Sequence, residues 1–116
     1  MNSVMTQKAR AGQYLLSTVG ALSADLVHLA PGPALPSGQV LSFDDKTQLY
    51  SAYVAPAEGS KSVVKAAAIL YAPAGEREAP LQVTVTSRLA EVSAEEMSGL
   101  DALVTAQLAE RFIIVR

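Results

Sequence analysis

Leu81-Gln82-Val83-Thr84-Val85-Thr86 sets an apolar side chain against a polar one at every step, the period-2 signature of a β-strand with one covered face. The stretch before it reads differently. Val63 to Tyr71 becomes continuously apolar from Ala66, which suits a strand covered on both faces, and Ala66, Ala67 and Ala68 are small enough for close backbone approach. The two are joined by Ala72 to Pro80, a loop with Pro73, Gly75, Pro80 and three charges. Further upstream, Gln39-Val40-Leu41-Ser42-Phe43 and Gln48 to Val54 flank the polar turn Asp44-Asp45-Lys46-Thr47 and read as a hairpin. The segment Pro31 to Gly38 combines fixed-angle prolines with permissive glycines and must be a turn-rich connection. Before it, Tyr14, Leu15, Leu16 and Val19, then Gly20 as a turn, then Leu22 and Leu26 to Leu29 predict two short strands. Met1 to Gly12 shows neither strand nor helix periodicity and is expected to be a flexible N-terminal arm.

Downstream of the alternating strand the pattern changes. Ser93-Ala94-Glu95-Glu96 has the form of a capping box, and Ser98-Gly99-Leu100-Asp101 offers a second helix start five residues later. One turn at 94–98 and a firmer helix over about 99–110 are predicted, with Leu100, Leu103, Val104 and Leu108 as an apolar stripe interrupted by Gln107. Ala102, Ala106 and Ala109 line the opposite side and allow a second close contact. Phe112-Ile113-Ile114-Val115-Arg116 is too β-branched to prolong a helix and should return to a sheet. The expected fold class is therefore mainly β with one C-terminal α-helix (α+β), residues 13–116 forming a single domain.

The 116 residues suit one core of ordinary size, and with no cysteine there is neither a disulfide nor a thiolate metal site. Half of the residues are hydrophobic and 17% are charged, yet the longest apolar run, Ala66 to Ala72, is far too short for a bilayer. No membrane partner is expected, and the chain reads as soluble. The apolar content is mostly Ala, Val and Leu, which also suits burial against partner subunits. The net charge is −2 and the basic residues are scattered singly, so nucleic acid is not an expected partner. With no secretory leader visible, assembly inside a cell is the expectation.

The residues are chemically quiet. His28 is the single histidine and sits in a short apolar strand, where a packing or surface role outweighs catalysis. Asp44 and Asp45 are adjacent but point apart in a turn, and the ligand pattern of a calcium loop is missing. Glu95 and Glu96 are accounted for by a helix start, where carboxylates complement the dipole. The glycines form no phosphate-binding loop, and Tyr14, Tyr50, Tyr53 and Tyr71 fall in predicted strands. No enzyme, cofactor or metal is called for. One alternative is a small-ligand or carbohydrate-binding β module, which would need a concave aromatic site built without tryptophan.

Several segments, in order, resemble the family of lambda-type phage head decoration proteins: Tyr14-Leu15-Leu16-Ser17 with Gly20 and Leu22-Ser23; Leu35 to Leu41; Ala67-Ala68-Ile69-Leu70-Tyr71; Arg88-Leu89-Ala90-Glu91-Val92; and Ala106 to Arg111 running into Ile113-Ile114-Val115-Arg116. The pattern departs from that family at Phe112, where a glycine helix cap is common, and at Met97-Ser98, where a Trp-Pro pair is common. A different helix exit is thus expected. The resemblance implies a β-clip or β-tulip-like domain that binds the outside of an expanded icosahedral head as homotrimers at threefold sites. The major capsid protein would be its partner, the virion exterior its location, and the host cytoplasm its place of assembly. It further implies that the N-terminal arm pairs with the shell as an added strand, with Gln13, Tyr14, Leu15 and Leu16 in capsid contact. Alanine-rich and helical apolar surface is expected to carry the trimer contact.

Overall fold

The alternating segment forms β6 (Leu81–Thr86), which pairs antiparallel along its whole length with β2 (Ala24–Leu29) in a computed structural model that describes residues 11–54 and 65–116. On its other side β6 meets β5 (Ala66–Leu70), β5 meets β3 (Val40–Asp44), and β3 meets β4 (Leu49–Ala52), all antiparallel. A single parallel pair, Leu29 opposite Tyr50, returns β4 to β2 and closes a five-strand barrel in the order β2-β4-β3-β5-β6. A second sheet, in the order β1-β7-β8, is built from β1 (Leu15–Thr18), β7 (Ala90–Val92) and β8 (Ile113–Val115). The helix α1 (Ala102–Ala109) packs on β8 and β5 and so joins the sheet to the barrel. The fold is mainly β with one C-terminal helix, as the sequence predicts.

Both faces of β5 are buried because it is a shared wall. Ala68 and Leu70 point into the barrel with Leu29, Leu41, Ala74 and Val85. Ala66 and Ile69 instead join Tyr14, Val40, Ala90, Val92, Val104, Leu108 and Ile113 beneath the small sheet and α1. The run of small residues in β5 allows this double packing. The predicted hairpin also forms, with Leu41 opposite Ala52 and Asp44 opposite Leu49. Asp44 Oδ1 accepts the Lys46 amide at 2.9 Å, an Asx turn that reverses the chain.

Four expectations need correction or narrowing. In β6 the half-buried alternation becomes a gradient: Leu81 and Gln82 are both exposed, whereas Val85 and Thr86 are both buried. The strand runs from an exposed start to a buried end, where Thr86 Oγ1 meets the Tyr14 hydroxyl. At Ser93 no capping box forms. Its hydroxyl makes no cap bond, only Ala94–Glu96 make a 3₁₀ turn, and Glu96 Oε2 accepts from Gln13 Nε2 at 3.1 Å. The helix starts at Ala102 rather than about 99, because Gly99 has φ +86 and cannot lie in an α-helix. Paired bonds from Ser98 N to Gly38 O (3.1 Å) and from Val40 N to Ser98 O (2.9 Å) hold this stretch against the barrel. Asp101 caps the helix instead, its Oδ1 accepting the Val104 amide at 2.8 Å. Finally, the apolar stripe is narrower than its spacing suggests, with Val104 and Leu108 buried but Leu103 exposed. Gln107, which interrupts it, accepts the Ala66 amide at 2.8 Å and so ties the helix to the start of β5.

The expected arm lies outside the described residues from Met1 to Arg10. Its last residue, Gly12, belongs to a turn: its amide donates to Tyr71 O at 2.8 Å and its carbonyl accepts from Leu15 N at 2.9 Å.

Candidate functional site

The four residues expected to meet a partner lie in succession where the chain enters β1, and the structure gives them different roles. Tyr14 is fully buried. Its hydroxyl and Thr86 Oγ1 are 2.7 Å apart, its carbonyl accepts the Ser93 amide at 2.7 Å, and burial pushes its phenol up to about 12. Tyr14 is thus an anchor that fixes β1 to the barrel, with no ring surface to offer a partner. Leu15 is half-buried and packs on the same core. Gln13 is exposed and reaches Glu96. A register shift between Leu15 and Ser17 turns Leu16 outward, leaving it 55% exposed.

Gly12 sets where this segment begins. It has φ +70, and a Cβ there would come within 2.7 Å of the Tyr71 ring. A larger residue here would have to push the Tyr71 ring aside and also adopt a strained backbone conformation. Tyr71 O is held from the other side by Ser37 Oγ at 2.7 Å, so residues 11–14 leave the barrel from a fixed point.

Among the described residues no strand pairs with the outer edge of β1. Such an edge is a template for strand addition. The outer face of the same sheet carries Ser17, Glu91 and Arg116, linked side chain to side chain: Ser17 Oγ donates to Glu91 Oε1 at 3.2 Å, and Arg116 donates to Glu91 Oε2. The hydrogen bond from Arg116, with that from Ser17 second, holds the Glu91 carboxyl below its usual range. Beside this polar ladder lies a groove lined by Ser17, Thr18, Val19, Leu89, Phe112 and Ile114.

By their sequence pattern Val19 and Ile114 are strand members and Phe112 an altered helix exit, and that pattern marks none of the three as contact surface. The signal for Phe112 was its place after a helix, where glycine is common. The structure keeps the glycine-like backbone there, φ +61, with Phe112 N donating to Ala109 O at 3.0 Å.

The surface expected to bind another copy divides in two. Ala66, Ala67 and Ala68 are buried within this chain and open to no partner. Ala102, Leu103, Ala106 and Ala109 of α1 are exposed. His28 is exposed on β2, and among the described residues no group of three His, Asp or Glu side chains is placed to hold a metal ion. Tyr14 and Tyr53 are buried, Tyr50 packs on Phe43 with ring centres 4.9 Å apart, and Tyr71 lies over Gly12. The tyrosines therefore build no common stacking platform.

The family model of the bacteriophage lambda head decoration protein D matches residues 4–113. No curated protein and no solved structure matches the chain.

Proposed function

The chain belongs to the bacteriophage lambda head decoration protein D family, a structural family of the phage capsid, and we propose that it binds the exterior of the expanded head as a homotrimer at threefold sites and reinforces the shell there. The observation that carries this reading is the family match over residues 4–113 of the 116-residue chain. The edge of β1 that no described strand covers, the outward Leu16 and the fixed start at Gly12 support a shell contact made by strand addition. Residues ahead of Ala11 would extend that added strand onto the major capsid protein. The exposed alanine-rich face of α1 supports close contact with another copy.

Mass action supplies the mechanism. A trimer that binds only the expanded lattice lowers the free energy of that state. Three contacts per trimer also act as one stronger contact, because once the first is made the others form at high effective concentration.

The test is co-sedimentation with expanded and unexpanded shells of the phage. Saturable binding to expanded shells, and not to unexpanded ones, is expected; binding to neither would overturn the reading. Removing residues 1–10, which leaves the Gly12 anchor in place, should preserve the melting temperature and abolish shell binding.

A further inference from the structure

Successive residues at the root of the arm are held by different parts of the fold. Gly12 N donates to Tyr71 O at 2.8 Å, Gln13 Nε2 donates to Glu96 Oε2 at 3.1 Å, and Tyr14 O accepts the Ser93 amide at 2.7 Å. The first of these holds depends on a side chain that belongs to neither partner. Ser37 Oγ donates to the same Tyr71 carbonyl at 2.7 Å, and Ser37 is only 2% exposed. A carbonyl has two lone pairs, and Gly12 and Ser37 take one each. Tyr71 is the first residue beyond β5, and its amide donates to Thr84 O at 3.1 Å. The Ser37 bond is not what joins the Pro31–Gly38 connection to β5. Gly38 N to Leu70 O and Leu70 N to Gln39 O, both 2.9 Å, do that one residue earlier. What the hydroxyl adds is the direction in which the Tyr71 carbonyl points, and hence where the Gly12 amide and the chain ahead of it must lie.

We propose that Ser37 is a positioning residue for the shell contact: through the Tyr71 carbonyl it fixes the direction in which the arm leaves the barrel, and so sets shell affinity without touching the shell. The inference rests on the decoration reading given above and deepens it. Strand addition aligns successive backbone groups of arm and shell, so an arm that starts from a fixed point and direction loses less freedom on binding than one free to swing. In an oligomer the gain recurs at every arm. Gly12 fits this role. With φ +70 and the Tyr71 ring within 2.7 Å of where a Cβ would stand, its backbone is confined by the ring while its amide is fixed by the carbonyl. Loss of the Ser37 hydroxyl leaves that carbonyl with one donor and a wider range of directions, whereas β5 and its neighbours keep their backbone bonds.

The experiment compares wild type with Ser37→Ala and Ser37→Thr in binding isotherms on expanded shells, with amide hydrogen exchange of the free, full chains followed by NMR. In wild type the Gly12 amide should be protected, and exchange at the rate of an unbonded amide would overturn the proposal with no variant needed. In Ser37→Ala, Gly12 should exchange faster while Gly38 and Leu70 keep their protection, and shell affinity should fall about tenfold, the size of effect of one lost hydrogen bond. Ser37→Thr keeps the hydroxyl and should restore both. Faster exchange at Gly38 and Leu70 together with Gly12 would make Ser37 a packing residue of the barrel and overturn the proposal, as would wild-type affinity in Ser37→Ala. In either case wild type would still bind shells and the decoration reading would stand. If wild type bound no shell, both readings would fall together.

Discussion

The β3–β5 wall and the β1-β7-β8 sheet are both short β structures rich in aliphatic residues, and they place those residues in opposite ways. The wall is covered twice: Val40 and Ile69 face the small sheet and Leu41, Ala68 and Leu70 face the barrel, all fully buried. The small sheet is covered once. Ala90, Val92 and Ile113 point inward, while Leu16, Ile114 and the flanking Val19 and Phe112 stay exposed. The contrast separates apolar surface that holds this chain together from apolar surface that remains for something else. Composition alone does not distinguish the two.

The same side chain on each side of the contrast provides its strongest test. Ile69→Ala removes a fully buried group from the wall and should cost roughly 2–5 kcal/mol of stability. Ile114→Ala, at a position 44% exposed, should cost less than about 1 kcal/mol. Urea unfolding of both variants would measure this. Equal losses would mean that the outer face of the small sheet supports the fold as the wall does, and would remove the case for an external partner there.

Tyr14 ties the two regions together, and its ionisation gives the next largest effect. Its phenol is raised from 10.0 to about 12, mainly by burial. The folded state therefore holds the proton more tightly than the unfolded state. Its contribution is complete below pH 10 and is lost as pH rises through about 12, a change of about 2–3 kcal/mol for this single group. The difference in stability between wild type and Tyr14→Phe, followed from pH 9 to 12, should change by that amount. A constant difference would mean that the phenol is not buried and that β1 is not anchored through it.

Gly12→Ala tests the fixed point from which β1 starts. The added Cβ meets the Tyr71 ring in a left-handed conformation, and a cost of about 1–2 kcal/mol follows. If the substitution is neutral by thermal melting, residues 11–14 are not held against the barrel.

What was legible in the sequence followed from local chemistry. The hairpin of β3 and β4 could be read because Asp44 to Thr47 is polar and turn-forming, and the double coverage of β5 because its apolar run has no polar interruption. The helix start was misplaced because two serines resemble caps, whereas the pairing of Ser98 with Gly38 and Val40, residues distant in sequence, moves the start to Asp101. Tyr14 and Leu16 look alike in a strand pattern. Only the register shift in β1 and the reach of the phenol to Thr86, far along the chain, make one an anchor and the other a surface. The groove was hidden for the same reason, since Val19, Leu89 and Phe112 come from three separate segments.

The smallest effect lies at the join between barrel and small sheet. Arg88, between β6 and β7, donates to Asp25 Oδ2 of β2 at 2.5 Å and to Leu22 O at 2.7 Å. Both partners of the ion pair are about two-fifths exposed, 41% and 40% by side chain, so solvent screens it, and a contribution below about 1 kcal/mol is expected. The hydrogen bond from Arg88 lowers the Asp25 carboxyl from its ordinary 3.8. A depressed carboxylate stabilises the fold above that value, and the stabilisation is lost as pH falls through the lower, folded-state value. Asp25→Asn should therefore be slightly less stable than wild type at pH 7, with the gap closing below pH 3.8. A gap that persisted in acid would assign the effect to packing. The join would then depend on the backbone bond from Ser87 N to Ser23 O, 2.8 Å long, rather than on charge.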